Sequence, residues 1–266
     1  MIWPLFKYNI KNNKTLWLIL VMVMLMYYII IMSMFDPENI EALNNMLALF
    51  PEELIKAMGF NNLGTTLLTF ISGYIYGFLI FLFPMIITVV VNHKLVASLV
   101  DKGSMAYLVS GPYSRIEIII TQVLTSIFSI VLFFTVTTLV TTLTSELMFP
   151  NELDIGMYIY LNFYTIILYL AISSIAFFAS AFANDAKLSI SIGVGVPVTF
   201  LVIQMLSGVG DSLKWLENLT MYSLFNPELL IQGDRFVLVG MFSLATISLV
   251  LYSLGVYIFN KKNLYI

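Results

Sequence analysis

TLLTFISGYIYGFLIFLFPMIITVVV, residues Thr66–Val91, contains no Lys, Arg, Asp, Glu or His. A helix needs about 20 predominantly apolar residues to cross the hydrocarbon of a bilayer, and this run exceeds that length. Five further runs have the same character: Leu16–Phe35, Ile118–Leu143, Met157–Ala183, Leu188–Leu206 and Phe236–Phe259. All of the Lys, Arg, Asp and Glu residues fall between or outside these runs. The pattern predicts an all-α integral membrane protein of six transmembrane helices, with residues 1–266 forming one six-span domain.

The connections sort by sign. With both termini on one side, that side holds Lys7, Lys11, Lys14, Lys94, Lys102, Arg115, Lys187, Lys261 and Lys262, against Lys56, Lys214 and Arg235 opposite. The positive-inside rule makes the first side cytoplasmic. Acids run the other way: Asp101, Glu117 and Asp185 are the three inside and the remaining twelve lie outside, so the faces carry +6 and −9. The formal net charge of −3 conceals a polarised molecule.

Composition agrees, with a mean hydropathy of +0.97 and only 10% charged residues. Six spans and their connections leave no room for a separate soluble domain. The absence of cysteine excludes disulfides and thiolate metal sites. The start Met1-Ile2-Trp3-Pro4 lacks the basic region and short apolar segment of a cleavable signal, so the first span is expected to remain as a signal anchor. Richness in Ile, Asn, Lys and Met fits an AT-rich bacterial genome.

Ahead of the first span, Ile2, Trp3, Phe6 and Ile10 share a helical face beside a stripe of Lys7, Lys11 and Lys14. This reads either as an N-terminal helix lying in the inner interface or as a plain positive flank. In the first outer loop, Ile40, Leu43, Leu47, Leu49, Phe50, Leu54 and Met58 fall in a narrow arc, and Pro51-Glu52-Glu53 looks like a fresh helix start. Two short outer-face helices broken at Phe50 are expected. Gly73 and Gly77 have the spacing that permits close helix approach, and Pro84 should kink the second span.

The Asn92–Glu117 connection is the longest cytoplasmic one. Leu95, Val96, Leu99 and Val100 suggest a short helix parallel to the membrane, followed by a turn at Gly111-Pro112 and an N-cap at Ser114. Only Asn184–Lys187 separates spans four and five, which must be adjacent and antiparallel. The Thr-rich outer half of span three can bond back to its own helix. Gly193, Gly195, Pro197 and Gln204 make span five the most breakable of the set. Trp215, Phe225, Asn226 and Pro227 suit a partly dipping interfacial segment.

Several chemistries are missing. No Gly-rich loop ending in Gly-Lys-Ser/Thr occurs, so the chain does not cradle ATP in that way. The spans carry none of the carboxylates, His or Lys that ion-coupled carriers use at mid-membrane depth. One His and no Cys argue against a zinc site. Nothing points to a nucleic-acid partner.

The stretch Asp101-Lys102-Gly103-Ser104-Met105-Ala106-Tyr107-Leu108-Val109-Ser110-Gly111-Pro112-Tyr113-Ser114-Arg115 resembles a signature of the ABC-2 type permeases of bacterial ABC exporters. Those commonly show an acid, Gly-Thr, then Leu-x-Ser-x-Pro-x-Ser-Arg between spans two and three. Asp101 stands here for the usual Glu, and Gly103-Ser104 for Gly-Thr. The end Phe259-Asn260-Lys261-Lys262-Asn263-Leu264 is similar to the family's closing aromatic-x-basic-basic-Asp-Leu, with Asn263 in place of Asp. The motifs, their order and the six-span topology extend the resemblance over the whole chain.

The resemblance implies a multi-pass permease of the bacterial cytoplasmic membrane, paired with a second six-span subunit, identical or different. Each would bind a separate cytoplasmic ABC ATPase subunit. No cofactor is expected on this chain, ATP and Mg belonging to the partner. The Asn92–Arg115 loop would hold the coupling helix, with Asp101, Gly103, Pro112 and Arg115 in ATPase coupling. The substrate pathway would run between spans two and five, where Phe70, Tyr74, Phe78, Thr199 and Gln204 are the candidate lining residues; dry helix packing is the competing reading for each. Phe70, Tyr74 and Phe78 are four apart and should share a face. An uncharged pathway rich in aromatic and thioether side chains suits hydrophobic or amphipathic cargo, with a peptide toxin or antibiotic the leading expectation. Two readings from other classes stay open: a sensor or immunity protein that binds a peptide without transport, and a membrane enzyme acting through outer-loop carboxylates.

Overall fold

The computed structural model describes residues 1–36, 49–57 and 64–262. Six long apolar helices follow the six apolar runs in order: α1 (Trp3–Ser33), α2 (Leu67–Asp101), α3 (Arg115–Met148), α4 (Ile155–Phe182), α5 (Ala186–Ser207) and α6 (Phe236–Lys261). No strand occurs among the described residues. The two ends of the bundle are named below by their charge: a basic end holding Lys102 and Arg115, and an acidic end holding Glu217 and Glu228.

Span four sits at the centre. It touches α2, α3, α5 and α6, and it is the best buried of the six spans, with α5 the least. The cause is its small-residue face: Ala171, Ser173, Ser174, Ala176, Ala179 and Ser180 are all buried, and small side chains let neighbouring backbones approach where lipid provides no hydrophobic drive. A Cβ on Gly193 of α5 would stand 3.5 Å from the Ala176 Cα, which fixes how closely α4 and α5 pack. Near their turn, Ser180 and Ser189 hydrogen-bond at 2.9 Å, and Asp185 caps α5 by accepting from Leu188 N at 2.7 Å.

Two helix boundaries differ from the sequence expectation. The N-terminal segment is not a separate helix. Pro4 lies in the first turn of α1, where its missing N–H costs nothing, and no Gly or Pro interrupts the rest. This end of α1 packs against α3. Ile2 N donates to Thr121 Oγ1 at 2.8 Å, and the Asn9 amide donates to Gln122 Oε1 at 2.6 Å and Thr125 Oγ1 at 3.2 Å. Phe6 and Trp17 both pack on Phe128, with ring centroids 5.4 and 6.1 Å apart.

The second difference concerns Leu95, Val96, Leu99 and Val100. They do not form an independent surface helix, because α2 continues as a helix to Asp101 and Leu95 and Val96 are buried in the bundle. A separate short helix follows at Ser104–Val109. Ser114 caps α3 as expected: its hydroxyl accepts from Glu117 N at 3.2 Å, and the Glu117 carboxylate accepts from Ser114 N at 3.0 Å.

At the acidic end, Pro51 precedes a short helix, Glu52–Ala57, and accepts from Leu54 N and Ile55 N at 3.0 and 3.2 Å. Ile40, Leu43, Leu47 and Met58 lie outside the described residues, as do Asn263 and Leu264. Some α3 hydroxyls bond back to their own helix, Thr137 to Phe133 O at 3.0 Å and Thr144 to Val140 O at 2.8 Å.

Candidate substrate cavity and coupling face

The acidic half of α2 is not a regular α-helix. Ser72–Leu79 is π-helical, and Ile80 N bonds to Ile75 O, five residues back. Such a stretch turns side chains away from the usual 3.6-residue register, and π-turns recur at functional sites. Here the stretch forms one wall of a cavity of about 750 Å³, contributing Ser72, Gly73, Tyr76, Gly77 and Phe78. Gly73 and Gly77 therefore belong to this wall. The opposite wall is the acidic end of α5, with Leu201, Gln204 and Met205.

Residues 211–232 complete the enclosure as two 3-10 turns, Asp211–Leu219 and Met221–Leu224, and a short helix, Pro227–Ile231. Four kinds of contact hold this segment down. Thr220 Oγ1 donates to Gln204 Oε1 at 2.6 Å. Tyr222 and Phe225 pack against Phe81 with ring centroids 4.9 and 6.1 Å apart. The Tyr164 hydroxyl donates to Leu224 O and accepts from Asn226 N at 3.3 Å. Gly240 of α6 admits the Leu224 carbonyl, which a Cβ there would strike. Of the residues in the segment expected to dip at the interface, Phe225 is buried and Trp215 is exposed.

Of the five candidate pathway residues, Phe78 and Gln204 stand in the cavity wall. Phe70 is buried in the core between Phe35 (5.4 Å) and Tyr74 (4.9 Å). Tyr74 is half-buried beside it, and Thr199 is exposed on α5. Phe70 and Tyr74 pack together with tilted rings, but Phe78 departs to the cavity across the π-helical stretch. Sequence reasoning missed Ser72, Tyr76, Phe81 and Tyr222; the glycines flanking Tyr74-Ile75-Tyr76 were the only local sign of irregularity.

Neutral hydrogen bonds join several of the buried polar groups across helices. Pro84 cannot donate to the Ile80 carbonyl, and the Tyr169 hydroxyl of α4 donates there instead. Tyr76 bonds to Tyr28 at 3.1 Å and to Asn162 Oδ1 at 2.9 Å, joining α1, α2 and α4 behind the cavity. Nearer the basic end, Asn92 donates to Ser173 Oγ at 2.8 Å, and Ser126, Ser173 and Tyr252 interlink at 2.9–3.0 Å.

At the basic end Asp101, Gly103 and Pro112 are exposed. Gly103 turns the chain out of α2 with φ of 70°, the left-handed region that favours glycine. Met105 anchors the following short helix in the core while Tyr107 is 83% exposed. Arg115 is half-buried and donates to the Lys262 carbonyl at 3.0 Å. Lys262 in turn caps α4, its ammonium donating to the carbonyls of Ala181 and Phe182 at 3.1 Å and to that of Ala183. Burial pushes the Lys262 ammonium below the ordinary lysine range, and Asp185 acts in the opposite direction. The two motifs that lie far apart in sequence thus meet as a clasp between α3, α4 and α6. Among the described residues no cluster of His, Cys, Asp and Glu has the makings of a metal site.

The family model described as ABC-2 family transporter protein matches residues 6–264. The chain belongs to that family. This ABC-2 permease is accordingly the membrane subunit of a transport system and not its ATPase. No curated protein and no solved structure matches it significantly. The permease carries its motif residues on an exposed loop at the basic end and its cavity at the acidic end, with α2 connecting the two.

Proposed function

We propose that the ABC-2 permease is the transmembrane subunit of an ATP-driven exporter. Its basic end and both termini lie in the bacterial cytoplasm, and it works paired with a second six-span subunit and with cytoplasmic ABC ATPases. The charge asymmetry supports the orientation. Docking of the ATPase on Asp101, Gly103, Pro112 and the Tyr107 helix is supported by their exposure beside the Arg115 clasp.

The observation that carries the reading is the cavity between α2 and α5 at the acidic end. Its wall sets Phe78, Phe81 and Phe225 beside Gln204, Asn226 and Glu217, a mixture that suits an amphipathic cargo such as a peptide toxin or antibiotic. ATPase closure at the basic end would act through α2 on this cavity and release cargo outward. The sparse burial of α5 supports a neighbour on that side.

The test is co-expression with candidate ABC ATPases, co-purification, and reconstitution in vesicles. A cognate ATPase should bind the permease, hydrolyse ATP faster in the complex, and drive an amphipathic peptide across the vesicle membrane. Failure of every candidate ATPase from the source genome to associate would remove the reading.

A further inference from the structure

The start of α1 is used neither by the cavity nor by the coupling face. One side of it is fixed: Leu5, Phe6, Asn9 and Asn13 are buried, and the Asn9 amide is held by Gln122 and Thr125 of α3. The opposite side therefore has a set direction. It presents Trp3, Lys7, Lys11 and Lys14, which at spacings of four, four and three form one helical stripe. Lys7 Nζ lies 5.3 Å from the Trp3 ring centre, and Tyr8 beside the stripe is 60% exposed.

No acidic residue precedes Asp36 in the sequence, and none of the three ammonium groups has an ion-pair partner among the described residues. The stripe then continues without turning. Leu18 and Met22, four and eight residues beyond Lys14, are also exposed. One face of one helix passes from cationic to aliphatic where the apolar run begins. A soluble anion or a nucleic acid would match only the first part of that face.

We propose that this stripe binds anionic phospholipid headgroups of the leaflet at the basic end, with phosphatidylglycerol-type lipids as the occupant. The ammonium groups meet the phosphates, Trp3 and Tyr8 sit at headgroup level, and Leu18 and Met22 meet the acyl chains. The rigid hold on Asn9 keeps the lysines aimed at the leaflet, so the lipid also stabilises the α1–α3 seam. The inference needs only the membrane span and is independent of cargo or ATPase.

The permease in nanodiscs of phosphatidylcholine alone, or of an equimolar mixture with phosphatidylglycerol, tests it. The anionic lipid should raise the melting temperature by several degrees and be retained in native mass spectra; the K7Q/K11Q/K14Q variant should lose most of both effects. The K7R/K11R/K14R variant should keep them, and added salt should weaken them. An undiminished shift in the glutamine variant overturns the proposal, as does an equal shift from inorganic phosphate in neutral discs. Where the glutamine variant does not insert, Trp3 fluorescence in the W17F/W215F protein decides. Headgroup-spin-labelled phosphatidylglycerol should quench it more than the phosphatidylcholine analogue, and equal quenching sinks the idea.

Discussion

Tyr169→Phe should destabilise the permease through a single lost hydrogen bond, and Pro84 is the reason. Tyr169 is fully buried and its ring packs on Phe134 at 5.3 Å, a contact that phenylalanine preserves. Its hydroxyl donates to the Ile80 carbonyl, which in an uninterrupted helix would accept from residue 84. Removing the hydroxyl leaves that carbonyl bare in a water-free interior, at a cost of about 1–3 kcal/mol. In a P84A background the restored N–H serves Ile80 directly, and the same tyrosine change should cost only about 0.5 kcal/mol or less, roughly the limit of non-additivity for uncoupled sites. Unfolding by dodecyl sulfate in mixed micelles, run on all four members of the cycle, measures both quantities. A Tyr169→Phe cost that is equal in the two backgrounds would refute the reasoning, since the hydroxyl would then serve something other than the proline defect.

Three shorter predictions concern other contacts. Arg115→Ala and Lys262→Met should each lower stability by about 1–2 kcal/mol and the pair should be less than additive, because one clasp is lost either way; full additivity in thermal melts would show two independent contacts. Gly240→Val should destabilise the permease by roughly 1–3 kcal/mol, its side chain colliding with the Leu224 carbonyl and lifting the acidic-end segment, read as faster proteolysis of residues 211–232; wild-type resistance contradicts the packing. In this cysteine-free chain, Trp215→Cys should react with an impermeant maleimide in intact cells while Lys102→Cys stays protected, and the opposite pattern would invert the proposed orientation.

What was legible in sequence was whatever depends on neighbours along the chain. Six apolar runs free of charge specify six spans, Ser114 specifies a cap, and the back-bonding of a hydroxyl such as Thr137 follows from its own helix. The start of α1 was half legible: its two faces are a periodic pattern, but continuity with the span depends on nothing breaking it after Pro4. The end of α2 was misread because Leu95 and Val96 look equally apolar on a surface helix or inside a bundle. Their burial against α4 decides between these, and the sequence does not encode that contact locally. The cavity was legible only at Phe78 and Gln204. Extrapolating a 3.6-residue period through Ser72–Leu79 puts Phe70, Tyr74 and Phe78 together, whereas the π-helical stretch separates the last from the first two. The meeting of Arg115 with Lys262, across 147 positions, is a tertiary fact that no periodicity contains.

The distribution of bonds along α4 indicates which element is free to move. Alpha-2 is tied to α4 at three levels, Tyr76 to Asn162, Ile80 to Tyr169 and Asn92 to Ser173, so it is fixed along its length to the best-buried helix. Alpha-5 is tied to α4 near the turn by Ser180–Ser189, whereas at the acidic end its polar link is Gln204 to Thr220 of the covering segment. We therefore predict that opening of the cavity is a swing of the acidic end of α5 away from residues 211–232, which Tyr164, Phe81 and Gly240 hold to the other helices, about the Asn184–Lys187 turn. The Gln204–Thr220 contact of 2.6 Å is the point to lock. In the Q204C/T220C variant a short bis-thiosulfonate bridge should arrest transport while leaving ATPase association intact, and reductant should restore it. The same bridge applied to either single variant should have little effect. If the bridged protein transports at the unbridged rate, the cavity opens elsewhere and α5 is not the moving wall.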